Sequence, residues 1–217
     1  MNPLYEILMT EEVDDYIASL DEHAMTNKEV KQQLKRLYYQ LELLEQLGTR
    51  APKKICRYLR DDLWELRPGD DRIIFFVWQN GTIVLLHTFS KKSQKTPVQE
   101  IRTALRKNNN GKKIFHHAKN LQLKGVLIMR SWQSKKKEIQ SLTETEKSEL
   151  SLAASLVAQI IETREKKGWT QRDLAQRSGI AQSSIARFER CGAMPRLDTF
   201  AKISNCVGLR LALVENP

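Results

Sequence analysis

The stretch from Trp169 to Thr199 (WTQRDLAQRSGIAQSSIARFERCGAMPRLDT) limits what this chain can fold into more than any other. Thr170 is a good helix N-cap, and Asp173 three residues on completes a capping-box variant. Leu174 and Ala175 give the helix it opens a small apolar face. Ser178-Gly179 closes that helix, because glycine takes the left-handed conformation of a helix end without steric penalty. Ile180 turns into the corner. A second short helix, Gln182 to Glu189, then points Ile185 and Phe188 inward and leaves Gln182, Ser183, Ser184 and Arg187 outward. Pro195 stops the next loop, and Asp198 is placed to cap a further helix.

Two helices joined by a short glycine turn, with amide, hydroxyl and guanidinium groups opening the second, have the helix-turn-helix geometry. Its chemistry follows from the major groove: glutamine bonds an adenine edge in two places, arginine grips guanine likewise, and serine serves base or phosphate. Thr170, Gln171, Gln182, Ser183, Ser184 and Arg187 are therefore the candidate DNA-binding residues. TQRDLA, the SGI turn, QSSIARFE and PRLDTFAKI together resemble the Cro/repressor-type (XRE) helix-turn-helix family. The resemblance implies operator DNA as a partner, bound by a homodimer through this C-terminal domain. Cys191-Gly192-Ala193 departs from the family's Gly-Lys/Arg loop, so a weaker phosphate contact is expected there.

The full 217 residues leave room for a second small domain with its own core. No run of 18 apolar residues exists, and MNPLYEILMTEE lacks the basic start and apolar centre of an export signal. The expectation is a cytoplasmic chain with no membrane partner. Cys56, Cys191 and Cys206 are odd in number and lack metal spacing, which reads as reduced structural thiols. His116-His117 has no cysteine or carboxylate cluster beside it, so no metal is expected. The net charge of +10 points to a polyanionic partner. Residues 1–106 balance 16 basic against 16 acidic side chains, whereas residues 107–147 carry 10 against 3 and residues 148–217 carry 10 against 7. Within the first block, Glu11, Glu12, Asp14, Asp15, Asp21 and Glu22 load the start with acid. From Arg50 to Arg106 the balance is 12 basic to 6 acidic, so one surface of the first domain should be positive.

In chain order, Tyr5 to Met9 reads as a short strand and Thr10 caps a helix through Leu20. Lys28 to Leu47 is a longer helix, with Val30, Leu34, Leu37, Leu41 and Leu44 at steps of three and four, and Gly48 closes it. The period then changes to that of strands over Leu63 to Arg67, Arg72 to Gln79 and Thr82 to Ser90. Asn80-Gly81 between the last two is a strong hairpin signal. Pro97 opens a final helix to about Arg106. The plan is α+β: two N-terminal helices on a small antiparallel sheet, with a closing helix. Pairing about Asn80-Gly81 brings Arg72 and the segment after Ser90 to one edge, and a short turn keeps Arg67 close. Arg67, Arg72, Lys91, Lys92 and Lys95 then converge; a solvated charged rim is the plainer reading of the same spacing.

At these residues the first domain resembles the RelE/ParE superfamily, in its phage-derived RelE-like group that includes HigB toxins. LELLEQLGTRAPKKICRYLRDDLWELR, DRIIFFV and TIVLLHTFSKKSQKTPVQEIRTAL carry the likeness, over about residues 4–106. It implies a small metal-independent endoribonuclease, often cutting mRNA on the ribosome, although ParE-like members act on gyrase. It implies Arg67, Arg72, Lys91, Lys92 and Lys95 as catalytic residues, with Arg60 and His87 binding RNA and no cofactor. The chemistry is consistent, since RNA supplies its own 2′-hydroxyl nucleophile and needs only proton transfer and stabilisation of phosphorane charge. Neighbouring cations lower a lysine's pKa, which makes one of Lys91, Lys92 or Lys95 a usable base. By alternation from Ile83, His87 shares Leu85's side, where a half-buried histidine is the competing reading. Trp64 and Trp78 could stack on bases, though strand tryptophans are more often core.

Residues 107–147 show no sustained period and are long for a connection, so they read as a basic linker and possible toxin-binding arm. Asn108 to Lys113 looks like a flexible spacer, and Leu121 to Ile128 could add a strand to a sheet edge. Met129-Arg130-Ser131-Trp132 starts a fresh segment that resembles the antitoxins encoded beside such toxins. Thr143 caps a helix to about Lys167, and Leu209 to Val214 alternate as a short strand. The whole therefore resembles a HigB-like toxin domain (1–106) joined by residues 107–147 to a HigA-like, all-α helix-turn-helix antitoxin domain (148–217). The alternatives are a transcription regulator whose first domain is a catalytically inactive binding unit, and a ParE-like toxin directed at gyrase.

Overall fold

A computed structural model describes residues 4–78, 81–91, 96–120, 129–190 and 196–212, without side chains for 110–120. Strand β1 (Glu6–Met9) enters helix α1 (Glu11–Ala24) through Thr10. The Thr10 hydroxyl does not cap α1; it donates to the Leu86 carbonyl at 3.1 Å and ties the helix start to the sheet. Helix α2 (Lys28–Leu47) begins at Asn27, whose side chain accepts from the Glu29 and Val30 amides. Gly48 closes it at φ 56°, where an added Cβ would come within 2.5 Å of the Tyr5 ring, so only glycine fits both the dihedral and the space.

Strands β2 (Cys56–Arg60) and β3 (Leu63–Leu66) form a hairpin turning at Asp61 and Asp62, both at positive φ. β2 escapes sequence reading because Arg57, Tyr58 and Arg60 mask its alternation, and an Asp-Asp turn is a weaker signal than Asn-Gly. Strands β4 (Asp71–Trp78) and β5 (Thr82–Ser90) pair from Asp71↔Ser90 to Trp78↔Thr82, with a bulge between Ile74 and Phe75. Helix α3 (Val98–Asn120) follows, then β6 (Arg130–Ser131), α4 (Trp132–Glu138), α5 (Glu144–Lys166), α6 (Gln171–Ser178), α7 (Gln182–Phe188) and α8 (Leu197–Val207). The sheet order is β2-β3-β4-β5-β1-β6, antiparallel except where β1 runs parallel to β5. The architecture is thus α+β followed by an all-helical region.

Three expectations need correction. The stretch from Asn108 onward is not a spacer: α3 continues to Asn120, because Asn108 is buried one turn beyond Ala104 and the inward face persists past Arg106. Asp198 does not cap α8; Arg196 holds the N-cap position, and the Asp198 carboxylate accepts from the Thr199 amide inside the first turn. Among the described residues, Arg130–Ser131 adds a strand to the sheet edge, paired antiparallel with β1 (Leu8↔Ser131, Met9↔Arg130). Residues 209–212 are irregular in the single chain. The strand expected at Leu121 to Ile128, Asn80, the Cys191-Gly192-Ala193 loop, Pro195 and Val214 lie outside the described residues.

α2 is the centre of the molecule. From Leu37 to Gly48 every residue but Gln46 is buried, which a helix achieves only when covered on both sides. One side meets Ile7, Met9, Val13 and Ile17; the other meets α5 through Ala153, Val157 and Ile161, and the same core runs on to Leu174, Phe188 and Phe200. A smaller core, with Leu63, Ile74, Phe76, Val84 and Leu86, lies on the sheet's far face beneath Ala104 of α3.

Charge completes the docking. Asp14 of α1 pairs with Arg130 (3.1 Å) and Lys135 (2.9 Å), and Asp21 accepts from the Gln140 and Ser141 amides. The acid at the chain's start therefore meets the basic arm. Trp132 is fully buried, its indole donating to Glu42 at 2.7 Å and its ring edge-on to Tyr38. Thr143 and Glu146 form a capping box for α5, and Glu146 also holds Lys31 (3.1 Å) and Lys35 (2.7 Å) of α2.

Candidate nucleic-acid interface

The β4–β5 register places Arg72 opposite Phe89, and the Lys91 amide donates to the Asp70 carbonyl at 2.8 Å. Arg67 follows β3, its amide donating to Ile55, so Arg67, Arg72 and Lys91 meet at one end of the sheet. Asp71 staples that end: it accepts from Tyr16 (2.7 Å), Ser90 (2.5 Å) and Gln33.

The three cations differ in availability. Arg72 is buried; its Nη1 donates to the Gly69 and Asp71 carbonyls, and its Nε lies 2.9 Å from Glu65, an ion pair out of line for a hydrogen bond. Burial holds the Arg72 guanidinium below its ordinary pKa, against the pull of Glu65. The Arg67 Nε is buried with no hydrogen-bond partner among the described residues. Lys91 is held below the usual lysine range by loss of water and then by Arg72, with Arg67 and Arg57 adding to the effect. Lys92 and Lys95 lie outside the described residues.

Arg60 and His87 do not join this group. Arg60 is exposed at the end of β2 and pairs with Asp61 at 2.6 Å. His87 bridges α1 and α3, with Nδ1 2.5 Å from Glu12 and Nε2 2.6 Å from Glu100. Both ring nitrogens are thus taken by carboxylates, and Lys107 pairs with Glu12 beside them. His87 is half-buried, as the competing reading of its place in the strand has it.

A cleft of about 510 Å³ opens at this end of the sheet, lined by Arg36, Gln40, Lys54, Arg67, Arg72 and Arg190, with Gly69 in its wall. Gly69 sits at φ 122°, and a Cβ there would lie 2.7 Å from Arg36 Nη1. Sequence reading missed Arg36, Gln40, Lys54 and Arg190. Arg36 and Gln40 stand four apart on α2, a polar interruption that spacing alone offers; Arg190 comes from the end of α7, more than a hundred residues away. Glu65 was missed as well. Almost fully buried, it accepts from Thr96 at 3.2 Å and lies against Arg72, a carboxylate amid cations.

In the helical region, Thr170 makes the expected capping box with Asp173, and Gly179 closes α6 in the left-handed conformation. Gln182, Ser183 and Arg187 are exposed on α7, and Ser184 is half-buried. Gln171 is held internally: its amide donates to Glu189 at 2.6 Å. Glu189 has no exposed surface and pairs with Arg164 at 3.0 Å, while Arg164 also donates to the Trp169 carbonyl. Burial pushes the Glu189 carboxyl above its ordinary pKa, against Arg164 and Gln171. This network under the two helices had no sequence signal beyond the residues themselves.

An uncharacterized HTH-type transcriptional regulator of Haemophilus influenzae is 34% identical over 77 residues, which are 36% of this chain and 79% of that protein. The chain belongs to the helix-turn-helix family of transcriptional regulators. Residues 160–214 match the Helix-turn-helix family model, and residues 19–109 match the family described as phage derived protein Gp49-like. Antitoxin HipB of Escherichia coli K12 is 38% identical over 52 residues, 24% of this helix-turn-helix chain and 59% of that protein. Among the described residues no helix is long and apolar enough to cross a membrane, and no group of three His, Cys, Asp or Glu side chains is placed to hold a metal ion.

Proposed function

We propose that this chain is a toxin–antitoxin pair in one polypeptide, with a metal-independent, ribosome-dependent mRNA endoribonuclease as its Gp49-like part. The helix-turn-helix part restrains it and, as a homodimer, binds operator DNA to regulate its own transcription. One observation carries the reading: cations of the first part line a cleft whose rim is completed by Arg190 of the second. Arg67, whose Nε has no hydrogen-bond partner among the described residues, would bind two phosphate oxygens bidentately. Lys91, its proton loosened by loss of water and then by Arg72, would take the 2′-hydroxyl proton. A tether would hold the two parts at roughly millimolar effective concentration, so restraint in cis should be nearly complete. Two helix-turn-helix units on DNA would read half-sites about 34 Å apart. The antitoxin among the relatives supports the restraint.

The alternative, a regulator with an inactive first part, is favoured by one feature: Arg72 is already engaged by Glu65 and two carbonyls. Reversing charge at the polar rim of the docking surface separates the readings. Glu146→Lys with Glu162→Lys would face Lys31, Lys35 and Arg50 with like charge while leaving the core untouched. Primer extension on mRNA with ribosomes should show no cuts from the wild type and new cuts from this variant, lost again on adding Arg67→Ala. A folded variant with opened docking that cuts nothing would leave the regulator reading standing.

A further inference from the structure

A second cleft, of about 700 Å³, lies beside the first. One wall is the turn Thr49 to Lys54; the other is made by the start of α6 and by Gln182 and Ala186 of α7. Lys54 and Arg190 line both clefts. The turn is braced: Ile55 and Cys56 donate back to the Pro52 carbonyl and are buried, and Arg50 pairs with Glu162 of α5 at 2.7 Å. It therefore presents Lys53 and Lys54, both exposed, toward the helix that carries Gln182 and Arg187. The two carboxylates in this wall are already engaged, Glu189 by Arg164 and Glu165 by Arg50, which leaves Lys53, Lys54, Arg172 and Arg190 to set the sign of the surface.

A helix seated in a major groove has sugar–phosphate backbone on both flanks, and cations standing beside it add affinity without reading sequence. We propose that the two clefts form one nucleic-acid trough, in which Lys53 and Lys54 of the Gp49-like part grip the backbone of the duplex DNA read by α7. Because Lys54 and Arg190 belong to both clefts, bound DNA denies the Arg67 cleft to RNA. This exclusion rests on the proposed RNA reading of that cleft. The first part is then a component of the DNA-binding surface, and operator occupancy blocks RNA access directly.

The test uses the full chain, a fluorescein-labelled duplex of about 20 base pairs, two helical turns, and a differently labelled single-stranded RNA of about ten nucleotides, within one binding site's span. Lys53→Ser with Lys54→Ser should lower the slope of log affinity for DNA against log salt by about 2, one per lost phosphate contact. Lys54→Ser alone should weaken RNA as well, whereas Arg187→Ser should weaken DNA only and Arg67→Ser RNA only. Unlabelled duplex should displace the RNA one for one. An unchanged salt slope in the double lysine variant overturns the grip. A ternary complex carrying both labels overturns the exclusion, and so does a wild type that binds DNA but not RNA, an outcome that leaves the RNA reading itself to the primer-extension experiment on the opened variant.

Discussion

Glu45 is a carboxyl on α2 that burial, and then the charge of Glu42, push up to about 7, although Gln133 and Lys136 pull the other way. The folded chain therefore holds this proton more tightly than the unfolded chain, whose glutamates titrate near 4.5. Stability from this group is full below about pH 4.5 and is lost as pH rises through 7. Glu45→Gln should flatten that fall, read as urea midpoints at pH 5 and 7.5; a variant with the wild-type pH slope would remove Glu45 as its source. Glu146 has the opposite sign. Burial raises its pKa, but Lys35, the Thr143 amide and Lys31 outweigh that and hold it at about 2, so its contribution is present above 4.5 and fades as acid approaches 2. On α7, Arg187→Ala should cost about 1–3 kcal/mol of specific DNA affinity; titration of the chain's operator should show this, and an unchanged Kd would take Arg187 out of the reading set. At this scale the sequence was informative where local rules apply. The hairpin about Asn80-Gly81 was enough to bring Arg72 and Lys91 to one end. Arg36, Lys54 and Arg190 were illegible, because they meet only when α2, a turn and α7 are packed together.

Element by element, period and punctuation gave α2, β5, α5 and α6 close to their ends, since each has an apolar repeat and a cap or glycine stop; α7, uncapped at Ala181, was legible from the preceding turn and its inward Ile185 and Phe188. β2 and the second half of α3 were hidden for opposite reasons. β2 shows charged side chains to water on an edge strand, and α3 carries asparagines and a glycine that look like a linker although Asn108 is buried. Helix α4 is seven residues long and carries its energy in one side chain. Trp132→Ala removes a buried indole and leaves the Glu42 carboxylate to Lys136 alone, and should cost about 3–5 kcal/mol. Chemical denaturation checks this, and a loss below about 1 kcal/mol would mean that α4 docks through its ion pairs instead.

For the whole molecule, the sequence indicated two apolar sets but not that they touch. Val30, Leu34, Leu37, Leu41 and Leu44 marked one face of α2; Tyr39, Leu43 and Leu47, equally visible, belong to burial that wraps the helix. A pattern of apolar residues says that a face is covered and leaves open by what. With one core running from β1 through α2 and α5 to α8, the chain should unfold in a single cooperative transition. Calorimetry together with near- and far-ultraviolet dichroism tests this, and two separated transitions would show that the halves melt independently. In hereditary terms, a helix buried on both sides answers to two lineages at once. A substitution on α2 that suits the sheet must also suit α5, so suppressors of a damaging change in the regulator half should be found in the codons of the other half.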